Sequence, residues 1–523
     1  MKPISIDRPL GAKYHPELKN KFAAENTFKG QTPENADIPV FSEIKDKLPK
    51  PIWEGQKNAI DAYYRAWEIC FAHIWKPDKG TGFIKNYVDC NFGGCLFMWD
   101  ASFMLMFGKY AKHIFNFQNT LDNFYAKQHG DGFISRQLIE LSGEETFEEY
   151  DPTSTGPNIM PWCEWEYYLN FGDKQRLERI FPCLMAYHEW LRLYRTWQDG
   201  SYWSCGWACG MDNQPRIEQK GENPMEEQDF HHGFATWIDA CLQQIISGKV
   251  LIKMARVIDR ESDVAEIESE VELLSDYVNN KMWDDKTSYY YDRFRDGRLN
   301  GVKTIGSYWA LLADVVPEER LQGFIQHLEN ENEFKRPHRV PSLSYDHPWY
   351  DPHGDYWRGG VWSSTNYMVI KGLQKNGRFD TAFDIALNNV LNVAKVFETD
   401  ETLYENYAPE YIKRGGTSYP EYKDRSRVDF VGWTGLTPIS IMFEGVFGII
   451  PNVENNRIDW HINLTEKHGI ENYPFGDKGF VTLICEQRLS PDEEPKVTVK
   501  GDIDVAVNVV WNGTSKIIKC EKQ

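Results

Sequence analysis

Asp173-Lys174-Gln175-Arg176-Leu177-Glu178-Arg179-Ile180-Phe181-Pro182-Cys183-Leu184-Met185-Ala186-Tyr187-His188-Glu189-Trp190-Leu191-Arg192-Leu193-Tyr194 sets the texture of the chain. Leu177, Ile180, Leu184, Tyr187 and Leu191 recur every three or four residues, which places them on one stripe of an α-helix. Proline lacks a backbone N–H and is best tolerated in a first turn, so Pro182 marks an expected helix start. The same spacing recurs on both sides. Ile60, Tyr63, Trp67, Cys70 and Ile74 give an amphipathic helix over 54–76, residues 101–128 read as two helices, and 159–170 as another. Residues 230–258, 263–282, 305–312, 317–328, 360–373, 381–396 and 433–443 bring the expectation close to a dozen.

The connections alternate between short and long, and the long ones (130–157, 200–228, 335–356 and 400–431) hold most of the Gly, Pro, Trp and charged residues. This asymmetry suits an (α/α)6 toroid of paired antiparallel helices with the long loops forming a site on one face, although an irregular helical bundle has the same periodicity. After Ile450-Pro451 the pattern changes. Ile503, Val505, Val507 and Val509 alternate with polar or small residues, and 480–485 and 497–500 are short β-branched runs between turn residues. The expected organisation is an extended N-terminal arm (1–50), a helical catalytic region (51–451) and a small antiparallel β-sandwich-like domain (452–523).

A net charge of −20, from 58 basic and 78 acidic side chains, argues against a nucleic-acid partner or an anionic membrane surface, both of which favour a basic face. The 19 Trp and 27 Tyr exceed what a core of this size needs, so some rings are expected to line a cleft for a neutral polar ligand. The ten cysteines form no CxxC pairs and read as reduced, buried side chains. His231 and His232 are adjacent and would point apart on a helix, so no metal or other cofactor is expected. The start Met1-Lys2-Pro3-Ile4-Ser5-Ile6-Asp7 has no apolar signal core, which sets a cytoplasmic expectation.

Five stretches combine aromatic rings with acids, amides or arginine, the residue types that stack on a sugar ring and hydrogen-bond its hydroxyls. Met98-Trp99-Asp100 stands at a helix entrance, where Asp100 is equally a cap or a sugar ligand. Gln128-His129-Gly130-Asp131-Gly132 continues through Phe133-Ile134-Ser135 to Arg136. Cys209-Gly210-Met211-Asp212-Asn213-Gln214-Pro215-Arg216 follows an aromatic run. Asp355-Tyr356-Trp357-Arg358-Gly359-Gly360-Val361-Trp362 precedes an apolar helix. Leu403-Tyr404-Glu405-Asn406-Tyr407 holds an acid between tyrosines, with Trp433 further on.

In that order these motifs resemble glycoside hydrolase family 63 and its mannosylglycerate-hydrolase-like relatives, and more distantly the family 37 trehalases, over residues 85–450. The resemblance implies an (α/α)6 barrel that hydrolyses an α-glycosidic bond with inversion. It further implies that Asp212 is the general acid and Glu405 the general base. It makes Trp99, Asp100, Gln128, Asn213, Arg216, Tyr356, Trp357, Arg358, Trp362, Asn406 and Trp433 candidates for contact with a small carbohydrate. The sequence departs from the family at Gln214, where relatives carry a small Ser, at Gly360, where they carry Pro, and in the basic insert 412–427. The trehalase-type Pro-Asn-Gly loop is absent, which disfavours trehalose as substrate. The leading expectation is an exo-acting inverting hydrolase of a small α-glucoside or α-mannoside. A sugar epimerase, isomerase or lyase would instead need a histidine base, for which His129 is the candidate, and a carbohydrate-binding protein would keep the cleft without turnover.

Overall fold

A computed structural model describes residues 19–217, 230–419 and 426–522. Among these residues twelve helices of five residues or more carry most of the chain. They are α1 (Lys57–Ala72), α2 (Met98–Gly108), α3 (Asn119–Lys127), α4 (Met160–Phe171), α5 (Lys174–Tyr194) and α6 (Ile238–Val257). After these come α7 (Ala265–Lys281), α8 (Trp309–Ala313), α9 (Glu318–Gln326), α10 (Ser363–Lys375), α11 (Phe379–Asp400) and the π-helical α12 (Thr437–Val446).

The α5 stripe is buried as its spacing requires, and Asp173 caps the helix by accepting from the Arg176 N–H at 3.0 Å. Pro182 lies inside this single helix and does not start it. An interior proline costs about 3 kcal/mol. The five buried stripe residues each return roughly 1.5–3 kcal/mol, so burial prevails. A second departure concerns 230–258. The helix begins only at Ile238, because Gly233 and Phe234 take positive φ and turn the chain. His231 and His232 therefore sit in a turn with their rings 4.8 Å apart, and do not diverge from a helix.

Packing orders the helices. α2 lies against α4 and α12, α4 against α6, α6 against α8, α8 against α10, and α10 against α12. α3 packs on α2, α5 and α7 on α6, α1 on α11 and α12, and α11 on α10. All eleven residues of α2 are buried, so it has no polar face, which is why periodicity placed its start late. Among these helices Glu444 is completely buried and compensated: Lys109 lies 3.0 Å away, Lys371 donates at 2.8 Å, Tyr110 at 2.6 Å and Tyr367 at 2.9 Å.

The sheet region follows. β1 (Lys50–Trp53) comes from the N-terminal part, and β2 (Ile449–Asn452), β3 (Arg457–His461), β4 (His468–Phe475), β5 (Gly479–Cys485), β6 (Val497–Gly501), β7 (Ala506–Trp511), β8 (Thr514–Lys519) and β9 (Glu521–Lys522) from the C-terminal part. Two sheets form, β1-β4-β5-β6-β9 and β2-β3-β7-β8. They are mixed where the sequence suggested purely antiparallel pairing: β3 runs parallel to β7, and β6 to β9. Strict alternation of burial along β5 and β7 shows that each covers a core with one face. Ile503 and Val505 lie just before β7, outside the strands.

Ahead of β1, Phe22, Phe28 and Leu48 are buried, and the Asn20 N–H donates to Gly130 O at 2.9 Å. None of the ten cysteines forms a disulfide, and nine are buried. No helix among the described residues is long and apolar enough to cross a membrane.

Candidate active site

The first cavity, of about 230 Å³, opens where α2, α4, α10 and α12 begin. Trp99 and Asp100 reach it from the first turn of α2, whose N-cap position is Phe97, so Asp100 does not cap that helix. Burial pushes the Asp100 carboxyl up to about 7, with the Cys90 thiol and the Arg136 guanidinium pulling it back and the Asp212 charge adding to the rise.

Asp212 follows one helical turn, Gly206–Cys209, and a sharp bend at Gly210. Gly210 has φ +72°, and a β-carbon there would stand 3.1 Å from the Trp99 ring. The bend therefore requires glycine and brings Asp212 into the cavity wall beside that ring.

Asn213 spans two stretches of chain. Its Nδ2 donates to Asp355 O at 2.8 Å and its Oδ1 accepts from the Trp357 N–H at 2.8 Å. Tyr356, between those two bonds, is held at φ +64°, a left-handed conformation that an aromatic residue adopts only when its surroundings enforce it. The Tyr356 hydroxyl, so placed, donates to Glu405 Oε1 at 2.9 Å, and the Arg427 N–H donates to Oε2 at 3.1 Å. Trp433 Nε1 donates to the Glu405 carbonyl at 2.7 Å. Burial pushes the Glu405 carboxyl up to about 8 against these two hydrogen bonds, which favour the anion, and the Asp100 charge raises it further. Glu405 is completely buried and stands one hydrogen bond behind the wall formed by Tyr356.

Trp357 and Trp433 complete the polar and aromatic lining that the sequence pointed to. Trp362 supports from behind, its ring stacked on Trp357 at 3.9 Å and its Nε1 donating to Tyr356 O at 3.2 Å. Arg358 is buried against Asp355 at 3.2 Å and packs over Trp349.

Three candidate sugar contacts are placed elsewhere. Arg216 is buried in paired bonds to Asp239 and Asp292 at 2.6–2.8 Å, which use Nε and both terminal nitrogens. Gln128 donates to Gly132 O and Cys183 O and accepts from Asn26. Asn406 is buried under Gly415, where an added β-carbon would meet its Oδ1 at 1.7 Å. None of the three lines the cavity.

The cavity also holds residues that the sequence reading passed over. Arg136 closes the Gly132-to-Arg136 stretch and lines the wall, its guanidinium over Phe147 and Trp207, with Nη1 donating to Trp207 O at 2.9 Å. Its Nε is buried without a hydrogen-bond partner among the described residues. Phe92, Phe97 and Trp207 add apolar surface. Trp207, in the aromatic run ahead of Asp212, had a visible signal.

His129, Asp131 and Glu149 converge within 4.8 Å, a gathering of metal-ligand types that local spacing did not reveal because Glu149 is distant in sequence. They hold one another and Trp190, whose Nε1 donates to Asp131 and Glu149 at 3.2 Å, and they lie outside the cavity lining. Burial opposes charge on His129, but hydrogen bonds to Glu145 and Glu149 push it up to about 10. His129 lies outside the lining of the cavity, where an isomerisation base would have to stand.

The chain is similar to known glycoside hydrolases. The model of the mannosylglycerate hydrolase MGH1-like glycoside hydrolase domain matches residues 97–419. The mannosylglycerate hydrolase of Thermus thermophilus is 24% identical over 349 residues, 54% of this chain and 81% of that protein. A Borreliella burgdorferi protein is 23% identical over 414 residues, 77% of this chain and 82% of its own. A probable mannosyl-oligosaccharide glucosidase of Schizosaccharomyces pombe is 21% identical over 299 residues, 52% of this chain but 35% of that protein, so the chain spans about a third of that relative. The solved family 63 mannosylglycerate hydrolase from Thermus thermophilus superposes with a TM-score of 0.57 at 19% identity, covering 72% of this chain and 99% of that one. The neutral trehalase of Saccharomyces cerevisiae gives 0.53 at 11% identity, covering 69% and 74%. With a family model spanning more than half its length, this chain belongs to the mannosylglycerate hydrolase MGH1-like family of glycoside hydrolases.

Proposed function

We propose that the protein is an exo-acting, inverting α-glycosidase of a small α-glucoside or α-mannoside, built on an (α/α)6 toroid, with Asp212 as general acid and Glu405 as general base. The succession α2-α4-α6-α8-α10-α12 and back to α2 supports the toroid, with the other six helices outside it. The observation that carries the mechanism is the aromatic cavity with Asp212 in its wall and Glu405 hydrogen-bonded to Tyr356 directly behind that wall.

In this reading Trp99, Trp357 and Trp433 enclose the terminal sugar. Asp212 protonates the glycosidic oxygen while Glu405 takes a proton from water attacking the opposite ring face, so configuration at the anomeric carbon inverts. Tyr356 and the Arg427 N–H engage one lone pair on each Glu405 oxygen and orient the carboxylate toward that water. The test is product NMR during the first turnovers on a panel of α-linked disaccharides and glycosyl-glycerates. The β-anomer should appear first, and an initial α-anomer would overturn the assignment.

The base acts only when ionised, so kcat/KM should rise through the free-enzyme value of about 8 for Glu405. Tyr356→Phe removes a donor that favours the anion, so this rising limb should move to higher pH. A pH profile that stays in place would remove Glu405 from the base role.

Arg136 points to a leaving group with a carboxylate, the chemistry of the glycerate in the name of the Thermus relative. One charge-assisted hydrogen bond is worth about 1.5–3 kcal/mol. Arg136→Gln should therefore raise KM for a glycosyl-glycerate about 10- to 100-fold. Steady-state kinetics on an uncharged α-glucoside should show a much smaller change.

A further inference from the structure

A second cavity, of about 330 Å³, lies between helices and sheet, away from the first. It is lined by α4 from Trp162 to Leu169, by the later parts of α6 and α10, and by β2 and β3. α10 alone separates the two by about 20 Å at 1.5 Å per residue.

Four lysines line it: Lys249, Lys253, Lys371 and Lys375. Lys371 is neutralised by Glu166 at 3.1 Å and Glu444 at 2.8 Å. The other three have no carboxylate within ion-pair distance among the described residues. Lys249 donates to Ala313 O and Asp314 O, and Lys375 to Leu312 O, all at 2.8 Å. Those bonds satisfy carbonyls at the end of α8; the nearby Asp314 charge favours both ammonium groups without forming an ion pair with either. Lys253 stands over the Trp165 ring at 5.8 Å with no polar partner among the described residues. Of the acids nearby, Asp459 pairs with Arg457 at 3.0 Å and Glu166 with Lys371, while Asp314 acts on Lys249 and Lys375 from beyond ion-pair distance. Burial and the neighbouring Lys253 and Lys249 charges pull Lys375 down to about 8, against the Asp314 and Glu166 charges, which hold it up. Three lysines without an ion pair, Lys253 exposed at the rim, stand around one cavity in a chain of net charge −20.

The lining also decides the kind of anion. Lysines act as mobile point charges suited to a phosphate monoester of charge about −1.5 to −2. Planar recognition of a carboxylate is the work of arginine, and none lines this cavity. Trp165 supplies a ring face for a sugar, and Val250 and Leu312 supply apolar wall. We infer that this cavity binds a sugar phosphate, its phosphate among Lys249, Lys253 and Lys375 and its ring against Trp165. Such a ligand bridges the helices to β2 and β3 and leaves the glycoside cavity open.

The test is isothermal titration of the full chain with glucose 6-phosphate, with inorganic phosphate and glucose as separate arms. Lys253 has no structural bond, so Lys253→Glu preserves the fold and should weaken glucose 6-phosphate at least about 10-fold. Trp165→Ala should weaken it while leaving inorganic phosphate unchanged. Glycoside hydrolysis by Lys253→Glu should match the parent protein. No saturable binding up to about 10 mM, or binding unaffected by Lys253→Glu, overturns the site. Equal affinity for inorganic phosphate overturns the sugar-phosphate assignment.

Discussion

Asp212→Asn is expected to lower kcat for an alkyl or sugar-linked α-glycoside by about 10³- to 10⁴-fold, the contribution of a general acid. The informative comparison is with an aryl glycoside whose leaving group departs without protonation. Its rate should fall far less, because the acid's proton matters little to that bond cleavage. Parallel kinetics on both substrates separate a proton donor from a group that merely holds the sugar. An equal loss on the two would place Asp212 in binding alone. The substitution is nearly isosteric, and the bend at Gly210 and the Asn213 bonds do not depend on the Asp212 charge.

Glu405→Gln should cost a similar factor, about 10³- to 10⁴-fold, but on aryl and sugar-linked substrates alike, since activation of water is needed for both. The smaller variant Glu405→Ala leaves space beside Tyr356. Added azide should enter there and attack in place of water, giving a β-glycosyl azide from an α-linked substrate. An α-azide would place the nucleophile on the other face and sink the proposed arrangement. Thermal melting controls for folding, because the Tyr356 and Arg427 donors lose their shared acceptor when Glu405 is truncated.

Much of the helical organisation was legible because an amphipathic stripe such as Leu177 to Leu191 is a local property. Where periodicity failed, the residues are buried all round, as in α2, or a local breaker was overruled, as at Pro182. The acids and rings of the cavity were legible through motif order. The positioning residues were not. Arg216 stands next to the Asp212 motif, yet its partners Asp239 and Asp292 are 23 and 76 positions away. Glu405 is oriented by Tyr356 from 49 positions away. Gly360, an oddity in the sequence, becomes necessary in three dimensions, because a β-carbon there would meet Tyr356 O at 2.2 Å. Part of the basic insert 412–427, residues 420–425, lies outside the described residues.

The carboxamide of Asn213 has a mechanical consequence. It neighbours one proposed reacting group in the chain and clasps the backbone on either side of the tyrosine that steers the other. The two halves of the chemistry thus share one rivet. The gap between the proposed acid and base is bridged by hydrogen bonds from a single side chain. The surrounding rim, including Arg136, can then diverge to admit new leaving groups without retuning that gap.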